Sequence, residues 1–481
     1  MGSTKIRGLV KSGSEHAAYV GAMVFSAFAH FIYSVYVKQR IEPLDYGIYS
    51  TCLLLKTYLT YIQLGVMNAF NRDYPQLLGA GDTTKAKEYR NTAFTYLSSV
   101  FLIAQLLITA AFFVFGNAGY LEPKYAYGFI LAGLVTFVTI IENFGANRVR
   151  IDGGFNYTSL VTTLETISVG VGLFLVKYIG YYALYCTTIL NMLIGIGLYF
   201  RRGYKDLKFS VDFKLLKVIM VSGIPLLINN LIWTVVNSID KIVILSRINT
   251  VALGVYSVAQ MAFTYVVLIP NAMSQLFYIK MGKVYGATNN VSALTAISEK
   301  YTRILAVVVS PIVLCAFYFI DPMVSWIMPN YSGGTRSAQI LMLGLAIYAP
   351  TMVNSNILTI LKKNSALLRS SIYLCVFNLV LSFSFVLIFG ARIENVALGT
   401  AVSYLLRTII LVIQIKKYAD VKPIRMVKAS ILPVLAILVP GVLLYFVVDQ
   451  LYLGFIFSMA IAALVFVVLY WKKIKAVIKG D

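Results

Sequence analysis

Charge is what this chain has least of. Only 12% of its 481 residues are Asp, Glu, Lys or Arg, while 59% are hydrophobic and the mean hydropathy is +0.80. Soluble globular domains of ordinary composition are not that apolar, so the chain belongs in a bilayer. Acid is scarcer still, since 19 Asp and Glu against 41 Lys and Arg leave a net charge of +22. Such an excess suits nucleic acid only when it clusters on a folded, water-facing domain, and no polar stretch here is long enough to make one. Cysteine is also rare. Cys52, Cys186, Cys315 and Cys375 all fall in apolar segments, with neither a CxxC pair nor metal-ligand spacing, which excludes a disulfide framework and leaves them as small core residues. No loop is long enough to fold as a catalytic or nucleotide-binding domain. The nearest approach to a phosphate loop, GAGDTTK from Gly79 to Lys85, lacks the Gly-Lys-Ser/Thr ending and follows no strand. No cofactor motif is present.

What the chain has in abundance is long apolar runs. A membrane crossing takes about twenty mostly apolar residues, and on that measure fourteen helices are expected, from 17–37 to 451–470. The second (44–66) and eighth (251–271) are the least apolar of them. The first follows Lys5, Arg7 and Lys11, is too long for a signal-peptide core, and shows no Ala-x-Ala cleavage site, so it is expected to be retained. Taking the connections in turn, 31 of the 41 Lys and Arg lie in the two tails and the alternate loops of one side, and eight on the other. That asymmetry predicts a multi-pass protein with both termini cytoplasmic.

The chain also repeats itself. RIEPLDYGIYS at Arg40 to Ser50 returns as RINTVALGVYS at Arg247 to Ser257, with Arg, Ile, Gly, Tyr and Ser each 207 residues apart, and Phe70 pairs with Phe277 at the same offset. An all-α integral membrane protein follows: a six-helix N-terminal lobe (1–200), a basic cytoplasmic linker (201–217), a six-helix C-terminal lobe (218–417), and two extra helices with a basic tail (418–481). Six is even, so the two lobes are parallel repeats about an axis along the membrane normal. The linker reads as a solvated connector held at anionic headgroups.

Ionisable residues at depth are the candidate site, because a charge at the centre of a membrane helix costs about 2.5–3.5 kcal/mol on insertion scales. Lys56 sits mid-helix two, Glu165 mid-helix five, His30 in helix one and Arg407 in helix twelve, with Glu142, Asp240 and Lys241 near helix ends. Arg407 either lines a cavity or snorkels to the cytoplasmic face. Lys56 either pairs with Glu165 or presents a cation to a cavity. Glu165 is a candidate protonatable or sodium-binding carboxylate. Asn68, Asn230, Asn237, Gln275 and Asn354 are candidates for a polar cavity or for bonds between helices. Pro225, Pro270, Pro311 and Pro350 mark expected bends.

Arg40 with Tyr46-Gly47-Ile48-Tyr49-Ser50, Leu64-Gly65-Val66 and Arg72, then Gly223-Ile224-Pro225, Asn237 to Lys241 and Leu253 to Ser257, resemble the opening signatures of the two halves of bacterial polysaccharide flippases. These are the Wzx-like branch of the multidrug/oligosaccharidyl-lipid/polysaccharide exporter superfamily. The resemblance implies a non-enzymatic flippase of the bacterial cytoplasmic membrane that moves an undecaprenyl-pyrophosphate-linked oligosaccharide, such as an O-antigen, capsule or exopolysaccharide repeat, by alternating access. Under it, Lys56, Arg407 and Lys241 are the cationic cavity, and Glu165, Asp240 or His30 carries ion coupling. A polysaccharide polymerase and chain-length machinery become implied partners. Two relatives of the superfamily compete. Drug and cation antiporters resemble a pattern with an acid in helix one, where this chain has Glu15 at its start and His30 inside. Peptidoglycan-precursor flippases carry arginines in the first helices, where Lys56 is the comparable charge. An integral-membrane polymerase or ligase needs a large outer loop with catalytic residues, and the longest here, about 321–336, is short and poor in acid–base groups.

Overall fold

The computed structural model describes residues 2–419 and 421–479, with backbone alone for 2–20, 229 and 469–479. Among the described residues there is no strand. Sixteen helices follow in order: α1 (Gly2–Arg40), α2 (Pro43–Leu59), α3 (Val66–Gly79), α4 (Thr83–Asn117), α5 (Pro123–Ile151), α6 (Phe155–Ile179), α7 (Tyr182–Gly203) and α8 (Phe213–Arg247). Then come α9 (Thr250–Val266), α10 (Leu268–Thr288), α11 (Val291–Ile327), α12 (Thr335–Ile360), α13 (Asn364–Phe389), α14 (Ile393–Lys416), α15 (Pro423–Val447) and α16 (Leu451–Lys479). A helix lies at each of the fourteen expected spans. Eleven are long and apolar enough to cross a membrane, twelve with the bent α8 taken as one. Of the other two expected spans, 44–66 falls on α2 and the break that follows it, and 17–37 falls on α1, whose side chains are described only from residue 21. Leu102, Ile103, Leu106 and Leu107 along α4 are 46–66% exposed, an apolar stripe of the kind a membrane helix turns to lipid.

Local chemistry explains the boundaries. Pro43, Pro123 and Pro423 open their helices at a position whose N–H needs no partner. Asn249 and Asn290 cap α9 and α11 by accepting from Ala252 N and Ser292 N, both at 2.8 Å. The GAGDTTK stretch is the cap of α4, where Asp82 accepts from Lys85 N at 3.1 Å.

The helices gather into two compact units, Met1–Thr234 and Val235–Asp481, and the division falls inside α8. Within the first unit α4 packs on α5, α5 and α6 on α7, α2 on α5, and α3 on α4. Within the second α11 packs on α12, α12 and α13 on α14, α9 on α12, and α10 on α11. The pairs correspond one to one. Moreover, α9 begins and ends 207 residues after α2, and α8 ends 207 after α1. α15 and α16 pack on α11 outside that scheme.

The runs expected at 44–66 and 251–271 each break partway. α2 gives way to a 3-10 turn at Thr60–Gln63, then Leu64 (φ 46°) and Gly65 (φ 81°) turn left-handed before α3 starts. α9 gives way to α10 at Val267, with Pro270 in the new first turn. The 201–217 connector is also more than a solvated loop. Arg148, 7% exposed, donates to Gly203 O at 3.0 Å and Lys205 O at 2.7 Å, and Arg90, 5% exposed, donates to Asp206 O at 2.7 Å. Two cations counted as topological signals thus satisfy the orphan carbonyls where α7 ends and fix the connector to the first unit.

Candidate functional site

The most completely built polar site is in the second unit, around Asp240 of α8. The Tyr256 hydroxyl of α9 donates to Asp240 Oδ2 at 2.5 Å, and Thr400 Oγ1 of α14 lies 2.7 Å from Asp240 Oδ1. Thr400 Oγ1 also lies 3.1 Å from Asn378 Oδ1 of α13 and 3.2 Å from the Val396 carbonyl, and Ser382 Oγ donates to Asn378 at 3.0 Å. Four helices therefore converge on one carboxylate through oxygens. Such a set holds either a proton or a small hard cation. Asp240 was expected; Asn378, 1% exposed, was not, although a lone amide inside the apolar run 371–390 was a legible signal.

The first unit has a second acidic centre. Glu165 of α6 and Glu142 of α5 meet over Gly195 of α7: a Cβ at Gly195 would stand 2.1 Å from Glu165 Oε1 and 3.0 Å from Glu142 Cγ. Only a residue without a side chain leaves room for both. Glu165 Oε1 is buried with no hydrogen-bond partner, and Glu142 is 8% exposed. Ser168 donates to Glu165 O at 2.7 Å and also bonds Asn191. Among the described residues no ion pair joins Lys56 to Glu165, so the paired alternative for Lys56 is not realised.

The candidate cations are placed as follows. Lys56 is half-buried in the last turn of α2. Arg407 is 3% exposed, its guanidinium 5.1 Å from the Tyr348 ring, which itself stacks on Tyr404 at 4.6 Å. It is held on aromatic faces instead of snorkelling out. Lys241 is half-buried beside Asp240. Lys56 belongs to the first unit, the other two to the second. Lys38, in the last turn of α1, is 1% exposed and sits 4.0 Å from the Tyr46 ring.

His30 is exposed on α1, its Nδ1 2.8 Å from Ser26 O. Asn354, 1% exposed, accepts from Thr302 Oγ1 at 2.8 Å and donates to Ser430 Oγ at 3.0 Å, tying α12 to α11 and α15. Asn68 is half-buried with an unpartnered Nδ2, while Asn230, Asn237 and Gln275 are exposed.

Near the α2–α3 break lies a network that sequence reasoning missed. Gly65 and Gly223 of α8 touch backbone to backbone: a Cβ on Gly223 would meet Gly65 O at 2.1 Å, and one on Gly65 would meet Gly223 C at 2.4 Å. Two turns on, Asp73 is hydrogen-bonded by Arg72 Nε at 2.5 Å, Ser222 Oγ at 2.9 Å and the Tyr89 hydroxyl at 3.1 Å. Partial burial pushes the Asp73 carboxyl up, but the hydrogen bonds from Arg72, Ser222 and Tyr89 prevail and hold it below the usual range. Both motifs had been noted separately; nothing in their spacing announced that they touch.

The family described as polysaccharide biosynthesis protein matches residues 40–331. No curated protein matches this sequence. Among solved structures, the lipid II flippase MurJ in an inward closed conformation is similar with a TM-score of 0.69 over 95% of this chain and 99% of that one, at 15% identity. An inward-facing multidrug resistance MATE family transporter of the MOP superfamily gives 0.67 over 84% and 95%, at 14% identity. A MOP superfamily transporter from Pyrococcus furiosus gives 0.58 over 87% and 97%, at 15% identity. At such identities the likeness is one of fold.

Proposed function

Because the chain belongs to the polysaccharide biosynthesis protein family, we propose that it is a flippase carrying an undecaprenyl-pyrophosphate-linked oligosaccharide across the bacterial cytoplasmic membrane. The observation that carries this reading is the family match over a chain with the fold of MOP transporters and two internally matching units. Lys56, Arg407 and Lys241 serve as cations for the pyrophosphate, and the aromatic bed under Arg407 keeps that cation desolvated and strong. With no nucleotide-binding motif, transport runs on an ion gradient. Asp240, with its converging hydroxyl and carbonyl oxygens, is the main coupling carboxylate, and the Glu142–Glu165 pair is a second place where charge can be taken up. The two halves alternate access while both termini stay on the cytoplasmic side.

The test is deletion of the gene followed by extraction of membrane lipids. Accumulation of an undecaprenyl-linked oligosaccharide on the inner leaflet, with loss of surface polysaccharide and rescue by the intact gene, supports the reading and names the cargo by mass. Unchanged glycan lipids with new sensitivity to cationic dyes would point to an antiporter. Restoring flux with Lys56→Gln/Arg407→Gln would sink the cation assignment.

A further inference from the structure

At one end of the second unit the last turn of α14, the following connection and the first turns of α15 meet α11 and α16 around a groove of about 1090 Å³. Small-molecule pockets run to roughly 300–1,000 Å³, so this is ample for a large ligand. Its lining is cationic in one part and apolar in another: Arg303, Lys416, Lys422, Arg425 and Lys428 make up the first, and Leu432, Ala436, Leu464 and Val468 belong to the second. Two of the five cations are already occupied, since Glu299 accepts from Arg303 at 2.6 Å and from Arg425 at 2.9 Å. Lys416, Lys422 and Lys428 are exposed and make no ion pair among the described residues. Leu432, Leu464 and Val468 are 60%, 63% and 67% exposed on helices that are themselves candidate membrane spans. Along α15 the distance from Lys428 to Ala436 is about 12 Å at 1.5 Å per residue, so a bilayer that covers the apolar part of the groove would bring its headgroups near the cations.

We propose that this groove is a binding site for an anionic diacyl phospholipid of the surrounding membrane, its headgroup phosphate on Lys416, Lys422 and Lys428 and an acyl chain along Leu432, Ala436, Leu464 and Val468. Charge complementarity selects an anion for the cationic part, and the exposed apolar walls require a tail, which a free phosphate lacks. Most of the lining comes from α15 and α16, the helices outside the matching packing of the two units, and none of Asp240, Glu165 and Arg407 is part of it. A resident lipid there would clamp the connection between α14 and α15 to α11 and α16.

The experiment uses the full chain, purified and stripped of lipid, in native mass spectrometry and binding titrations with phosphatidylglycerol, phosphatidylcholine, undecaprenyl phosphate and inorganic phosphate. Phosphatidylglycerol is expected to bind in preference to phosphatidylcholine. Lys416→Gln/Lys422→Gln/Lys428→Gln is expected to weaken it on the order of a hundredfold, from the attraction typical of basic side chains at an anionic surface. Ala436→Trp fills the apolar part without touching charge and should weaken it as well. Because the three lysines are exposed, their variant tests the proposal even where the tryptophan variant misfolds. Equal binding of both phospholipids, or undiminished binding by the triple variant, overturns the proposal. So does displacement of phosphatidylglycerol by an equal concentration of inorganic phosphate, which would make this a plain phosphate site. Preferential displacement by undecaprenyl phosphate also overturns it and would assign the groove to the cargo.

Discussion

The contact between Gly65 and Gly223 predicts an unequal pair of substitutions. In Gly223→Ala the new Cβ would lie 2.1 Å from Gly65 O and 2.6 Å from Gly65 C, where ordinary contact begins near 3.4 Å. Those neighbours are backbone atoms, so no side chain can swing aside and α8 must back away from the α2–α3 turn by more than an ångström. Overpacking of that kind costs about 1–3 kcal/mol, offset in part by the up to ~1 kcal/mol that alanine gains over glycine inside a helix. Gly65→Ala meets a similar wall, its Cβ 2.4 Å from Gly223 C and 2.6 Å from Gly223 O, and adds a second penalty, because Gly65 has φ +81°. The left-handed conformation costs an L-residue roughly 1–2 kcal/mol more. Gly65→Ala should therefore destabilise by about 2–5 kcal/mol and Gly223→Ala by distinctly less. Thermal unfolding in detergent, followed by size-exclusion peak height after heating, ranks the two directly. Equal loss from both would show that the φ argument is wrong, and wild-type stability in both would show that the helices do not meet there.

Other outcomes follow from single sites. Asp240→Asn should fold as wild type yet lose at least tenfold in gradient-driven flux of lipid-linked oligosaccharide in proteoliposomes; full flux with unchanged ion dependence removes Asp240 from coupling. Asn354→Leu strands the Thr302 hydroxyl, removes the N–H that Ser430 accepts while leaving its bond to Met426 O, and should destabilise by about 1–3 kcal/mol, read as a lowered Tm, with no effect on ion dependence. For Asp73 the folded carboxyl titrates below its unfolded value of about 3.9, so its contribution is fully present above that value and is lost as pH falls through the folded one. The Tm difference between wild type and Asp73→Asn should thus be constant from about pH 8 to pH 5 and shrink below pH 4. A difference that grows on acidification would contradict the assignment.

Much of the architecture was written locally. Apolar runs near twenty residues long must become helices in a bilayer, because only intrahelical bonds satisfy the backbone there. A 207-residue offset read from five identities reappears in the ends of α1, α2, α8 and α9 because a shared sequence pattern stops and starts helices at the same points. The candidate carboxylates were legible too, since a lone acid in an apolar run stands out by its desolvation cost.

What the sequence left open is which faces of those helices meet. That depends on rotation and crossing of helices far apart in the chain, set by where small residues let backbones approach. Gly65 against Gly223, and Glu142 beside Glu165 over Gly195, are decided in that way, and no local spacing encodes them. Nor did hydropathy foretell that Tyr256, Asn378 and Thr400 would close around Asp240, or that Arg90 and Arg148 would leave the solvent side to hold the connector. Apolar length settles that a segment crosses; only tertiary packing settles which polar atoms are left facing one another inside.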